Sequence, residues 1–248
     1  MEKRHAILLC GFCRDYKENL DKFKATSRNR ENVDLFISFW DVINSHPKEK
    51  LTRYEDLNKI NLDEIVSDYS PTDIKIFEWA AFEDMLRPMA HLVQEGGLVG
   101  PNSIYAGDKD YNIVMRTVAT SFLIKQSFNL LERYGQRNNI EYVNILRTRT
   151  EFGYYNLGGY YPTIDWDKDY SSAIYIPNWN FLSRGGYPQI SCSGALSNFD
   201  NMKVYCNLLE NLPSIARRFT KQPRKCWGDE YCYSLYLSQN NIPWKVLK

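Results

Sequence analysis

The sequence predicts an α/β domain with a largely parallel central sheet flanked by helices. Three observations carry that expectation. In the first third of the chain, apolar runs at 5–11 ("HAILLCG"), 33–41 ("VDLFISFWD") and 73–79 ("DIKIFEW") alternate with helical patterns at 12–28 and 62–71. A fourth apolar run, "YVNIL" at 142–146, follows a long helical pattern. The composition is that of a globular chain, with 44% apolar and 25% charged residues in 248. That length suffices for one large domain or two small ones. No repeat, linker or low-complexity tract divides it, so one domain over 1–248 is expected.

Each element has its own signal. Strand 5–11 is a run of apolar residues. The helix after it sets Leu20 and Phe23 on one face. Strand 33–41 ends in Trp40 and Asp41, and the short helix at 62–71 is stopped by Pro71. The stretch 73–79 alternates as a half-buried strand does. Residues 84–109 lack a clear period, and "QEGGLVGPNSIYAGDKD" within and just after them reads as a long loop. The longest helix is predicted over 110–135, with Val114, Val118 and Phe122 at four-residue spacing and Gly135 as its stop. Strands are expected at 141–152, 173–179 and 187–194, and helices at 199–219 and 229–241.

The net charge of +1 gives no basic field for nucleic acid. No apolar run is long enough for a transmembrane segment. The start, "MEKRHAILLCGFCRDY", is interrupted by Arg14 and Asp15 too early for a secretion signal, so a cytoplasmic protein is expected. Cys10 and Cys13 form a CxxC with no second ligand pair, so Cys10 is expected as a buried strand residue and Cys13 as a loop thiol. His5, His46 and His91 show no metal-ligand spacing. The 18 tyrosines and 6 tryptophans suit a carbohydrate site, although a bias towards Tyr, Asn, Lys and Ile explains most of them.

Open α/β sheets bind ligands at the carboxyl ends of their strands, so the strand exits are the places to search. The exits are Gly11-Phe12-Cys13-Arg14, Trp40-Asp41, and Arg147 to Glu151. The first holds one glycine and is neither a dinucleotide fingerprint nor a phosphate loop. Arg14, at a helix start, suits a phosphate or a stacked base; a surface salt bridge is the plainer alternative. The third exit is the sharpest feature. An acidic motif at such a strand end holds a divalent cation that neutralises a leaving diphosphate. Here Arg147 and Arg149 flank one carboxylate, Glu151, and guanidiniums stabilise the same charge. The alternative is a structural ion pair. A literal acidic triplet at Asp165-Trp166-Asp167 lies in a loop, as does Asp108-Lys109-Asp110, and both are weaker candidates. In "CWGDEYCYSLYL" (226–237), Asp229 and Glu230 open a helix, where acids serve as caps. In a functional role, one of them is the general base that takes a proton from an acceptor hydroxyl, with Trp227 stacked on the acceptor sugar.

Taken in order, "ILLCGFCRDY", "VDLFISFWD", "DYSPTDIKIFEW", "VNILRTRTEF", "ISCSGALSNFDNMKVY" and "GDEYCYSLYLSQNNI" span nearly the whole chain. This succession resembles the small GT-A-type glycosyltransferases of large DNA viruses and bacterial polysaccharide loci. The resemblance implies a single GT-A-like, Rossmann-like sandwich, with 1–150 as its nucleotide-binding half and 151–248 as its acceptor-binding half. It also implies a glycosyltransferase that moves a sugar from a UDP- or GDP-sugar donor to a glycan or polysaccharide acceptor, with inversion. By resemblance, Gly11, Arg14, Trp40 and Asp41 border the nucleotide, Glu151 meets the diphosphate or a metal, and Asp229 or Glu230 meets the acceptor. Arg116 and Lys125 are further candidates for the diphosphate. The family's strand exit looks like Arg-x-Asp, whereas this chain has Arg149-Thr150-Glu151, with a longer acidic arm. A divalent cation (manganese or magnesium) and metal independence therefore both stay open. The alternative function is a non-catalytic carbohydrate- or nucleotide-binding protein with the same fold.

Overall fold

The computed structural model describes residues 1–13, 16–27, 31–43, 58–93, 108–150, 164–176, 194–219 and 229–247. The first strand, β1 (Glu2–Gly11), leads into α1 (Tyr16–Ser27) and β2 (Val33–Trp40). A two-stranded sheet follows, of β3 (Val42–Ile43) and β4 (Asn58–Lys59). Then come α2 (Leu62–Tyr69), β5 (Asp73–Phe77), α3 (Trp79–Val93), α4 (Asp108–Asn138) and β6 (Ile140–Thr148). The remainder is β7 (Ile174–Ile176), β8 (Ala195–Asn198), α5 (Phe199–Cys206), α6 (Leu208–Phe219), α7 (Asp229–Gln239) and β9 (Trp244–Val246). Strands from both halves of the chain join one seven-stranded sheet in the order β5-β2-β1-β6-β8-β7-β9. The pairs β1/β2, β1/β6, β2/β5 and β7/β9 are parallel, and β8 runs antiparallel to both neighbours. The fold is α/β with a mostly parallel, mixed central sheet, as the alternating pattern predicts.

Strand alternation sorts the apolar residues into two cores. Ala6, Leu8, Cys10, Phe36 and Trp40 face α3, α4 and the carboxyl-terminal helices. Ile7, Leu9, Leu35, Ile37 and Phe39 face α1, α2 and the segment around Trp166. Near Arg4 and Ala6, β6 carries an extra residue, since Arg4 pairs with Tyr142 and Ala6 with Ile145. This bulge puts Tyr142 and Ile145 in the same core despite their odd spacing. At the amino edge, Asp34 binds three elements together. Its carboxylate accepts from Arg4 Nε and Nη2 at 2.8 Å each and from the Tyr142 hydroxyl at 2.8 Å.

Three expectations need correction. Residues 79–93 form a helix, where 84–109 is predicted to be irregular. Pro88 lies inside α3 and costs ~3 kcal/mol in a helix interior. Phe82 and Leu86 bury one face of the helix, contributing ~1.5–3 kcal/mol each, with Trp79 and Met89 packed beside them, so burial wins. Second, α4 runs through Gly135 to Asn138, and the turn is made by Asn139 at φ 56°. Gly135 serves close approach, since a Cβ there would stand 3.2 Å from the Ile140 carbonyl oxygen and 3.2 Å from the Tyr142 ring. Third, the expected helix 199–219 is two helices, broken at Asn207. The strand expected at 187–194 falls outside the described residues up to 193, and β8 begins at Ala195. Strand β9 was not predicted.

Candidate functional site

From β1 the chain proceeds one way, through β2 to β5, while β6 is laid on the other side of β1. The carboxyl ends of β1 and β6 thus form the topological switch point, the place at which open α/β sheets bind ligands. Gly11 ends β1 with φ 135°, a conformation that L side chains rarely adopt. The Arg149 side chain lies close by, at ordinary contact distance from where a side chain on residue 11 would begin. A Cβ at Gly11 would be 3.8 Å from Arg149 Nε and 3.9 Å from its Cγ. The two exits are tied together by the buried Thr150 hydroxyl, which donates to the Phe12 carbonyl at 3.2 Å. The Cys10 thiol approaches the Thr148 carbonyl at 3.9 Å. Arg149 is half-buried there, so a guanidinium stands at the switch point.

Arg147 departs from the expectation of a diphosphate contact. It is 0% exposed, and its Nε donates to Cys10 Sγ at 3.3 Å. Strand alternation from Ile145 carries it into the core beneath α4 and α5, near Cys206, whose thiol burial pushes well above its usual range. Arg147 is an interior guanidinium; Arg149, two residues later, reaches the edge.

Trp40 likewise lies inside. It is 0% exposed and packs against Phe82 at 4.7 Å, Trp79 at 5.0 Å and Phe122 at 5.9 Å between ring centroids. It supports the β2 exit by packing rather than by offering a face to a ligand. Asp41 is buried too. Its Oδ1 accepts the Trp79 N–H at 2.8 Å, which caps α3 from across the sheet, and its Oδ2 lies 3.8 Å from Lys59 Nζ. Lys59, on β4, is a well-exposed cation at the carboxyl edge that the sequence did not single out.

Asp229 and Glu230 open α7, and only their backbone is described. Helix α7 is followed within a few residues by β9, which runs parallel to β7. Helix α7 packs against α6 and α5. Arg14, Glu151 and Trp227 lie outside the described residues, as does the Arg116 side chain. Lys125 is engaged within the helical layer: it donates to Asn207 Oδ1 and pairs with Glu210 at 3.3 Å, joining α4 to α5 and α6.

The acidic triplet at 165–167 lies near the other edge. Trp166 packs on His5 at 5.2 Å, and its carbonyl accepts from Asn144 Nδ2 at 2.9 Å. His5 precedes Gly11 by six strand residues, roughly 20 Å. Asp165 Oδ1 accepts the Asp167 N–H at 3.1 Å, an ordinary turn contact. Among the described residues, no three His, Cys, Asp or Glu side chains converge as a metal site. Cys10 and Cys13 are both buried and belong to opposite cores, so Cys13 is not an open loop thiol, and burial pushes its thiol up. Among the described residues, no helix is long and apolar enough to cross a membrane.

No protein-family model matches the chain, and no curated protein matches it.

Proposed function

We propose that this chain is a nucleotide-sugar-dependent glycosyltransferase of the GT-A kind, acting on a glycan acceptor. The observation that carries the proposal is Arg149 lying across Gly11 at the β1/β6 switch point. A guanidinium fork matches two phosphate oxygens and costs no reorganisation when charge develops on a leaving diphosphate. In the reaction, the acceptor oxygen bonds to the anomeric carbon as the bond from that carbon to the diphosphate breaks. The hydroxyl proton goes to a carboxylate, for which Asp229 and Glu230 are the candidates. Support for that role is their place at the opening of α7, where the helix dipole favours an ionised carboxylate. A divalent cation, if used, would supply further charge to the diphosphate. Glu151 is the residue proposed for it, and no step here is routed through a metal.

The test is release of nucleoside diphosphate from UDP- and GDP-sugars, with and without glycan acceptors. Wild type is compared with Arg149→Ala, Asp229→Asn and Glu230→Gln. Release by wild type is expected, with a fall of 10²-fold or more in Arg149→Ala and in one of the two acid variants. Full turnover in all three variants would remove the site assignment.

A further inference from the structure

We propose that Thr150 is a positioning residue: its hydroxyl holds the β6 exit to the β1 exit, so that the Arg149 guanidinium lies across Gly11 as a seat for a diphosphate group. The inference rests on the function proposed above and names a residue of that site. The last paired residues of the β1/β6 ladder are Leu9 and Thr148. Beyond them the strands are free to part, because the ladder hydrogen bonds end. The bonds between them there include Arg147 Nε to Cys10 Sγ at 3.3 Å, the thiol of Cys10, a weak donor at 3.9 Å from the Thr148 carbonyl, and the Thr150 hydroxyl at 3.2 Å from the Phe12 carbonyl. Thr150 is 3% exposed, so this bond is made away from water, where its loss is felt most. Arg149 lies between Thr148 and Thr150 in sequence. Its Nε and Cγ lie 3.8 and 3.9 Å from where a Cβ on Gly11 would stand, and Gly11 holds a positive φ. Loss of the Thr150 hydroxyl would loosen the chain beside the arginine, and a long cationic side chain then loses part of the orientation that makes a two-point phosphate contact.

Calorimetric titration with inorganic pyrophosphate, on the full chain, tests this. Wild type, Thr150→Val, Thr150→Ser, Arg149→Ala and the Thr150→Val/Arg149→Ala double variant are compared. Thr150→Val is expected to bind pyrophosphate about tenfold or more weakly, and Thr150→Ser, which keeps the hydroxyl, to bind as wild type does. The double variant is expected to bind no more weakly than Arg149→Ala alone, because Thr150 acts through Arg149. Thr150→Ala takes the place of Thr150→Val if the latter does not fold. A hydroxyl with only a structural role would lower the melting temperature in Thr150→Val and leave pyrophosphate affinity unchanged; that result overturns the proposal. So does a wild type that binds no pyrophosphate. If a nucleoside diphosphate binds with an affinity indifferent to Thr150, the positioning role falls and the proposed function stands. If none binds, the proposed function falls, and the pyrophosphate series alone decides the role of Thr150.

Discussion

At the scale of single residues, charge separates by depth. Arg147 and Arg149 are two positions apart, yet one is sealed in the core and the other reaches the switch point. Their removal is expected to differ in kind. Arg149→Ala should cost little stability, within about 1 kcal/mol, and abolish diphosphate affinity. Arg147→Ala should cost about 2–4 kcal/mol in urea unfolding, since it leaves a cavity and unmade interior hydrogen bonds. Asp34 is a second buried focus. With its side chain 7% exposed, it partners Arg4, whose guanidinium it holds further into the charged form, and Tyr142. Asp34→Ala takes this acceptor from both, leaving Arg4 its exposed contact to Glu2 at 3.0 Å, and should cost about 2–4 kcal/mol, while Tyr142→Phe should cost about 1–2.

At the scale of elements, α3 and α4 show how tertiary packing overrides local signals. Helix α3 was hidden by Pro88 and by the glycine-rich stretch after it. Its legible sign was the spacing of Phe82, Leu86 and Met89, which needed the aromatic partners Trp40 and Phe122 to become a buried face. Asp41 caps this helix from β2, a contact between residues 38 apart that no sequence window shows. Asp41→Ala is expected to lower stability by about 1–2 kcal/mol, with Asp41→Asn retaining most of it. At Gly135, two effects oppose each other. Alanine gains ~1 kcal/mol of helix propensity, but its Cβ meets a backbone oxygen and the Tyr142 ring at 3.2 Å, and overpacking costs ~1–3 kcal/mol. The backbone oxygen has little room to yield, so Gly135→Ala is expected to be net destabilising in urea unfolding.

At the scale of the whole molecule, the strand and helix alternation of the first third was legible because β1 and β2 are buried on both sides and read as continuous apolar runs, while the edge strand β5 alternates. The strand order and the reversal of β8 were not, since they depend on which edges pair. The exits were identifiable as a set. Which side chain at each exit faces inward depends on the pleat and on the β6 bulge, so Trp40 and Arg147 were misjudged and Lys59 passed over. Global stability should also carry a tyrosine signature. Burial, then the bond to Asp34, pushes the Tyr142 phenol up; burial pushes Tyr236 up to about 12, and burial with the Glu64 bond does the same for Tyr16. Unfolded tyrosines titrate near ~10, so above that pH the unfolded chain binds fewer protons than the folded one. This contribution is complete below pH ~10 and is lost as pH rises through the folded values. Urea midpoints should therefore hold between about pH 8 and 9.5 and fall above 10, less steeply in Tyr142→Phe. Parallel falls in both proteins would contradict the assignment.

The central claim is that the β1/β6 switch point, with Arg149 across Gly11, receives a nucleoside diphosphate. Thermal unfolding of wild type and Arg149→Ala with UDP, GDP, CDP and dTDP, each with and without manganese, tests it most directly. A ligand at one hundred times its Kd adds ~2.7 kcal/mol to the native state, a rise of roughly 5–10 °C for a chain of this size. The account predicts such a rise for wild type with one nucleotide and its loss in Arg149→Ala. No rise with any nucleotide, or the same rise in both proteins, would contradict it.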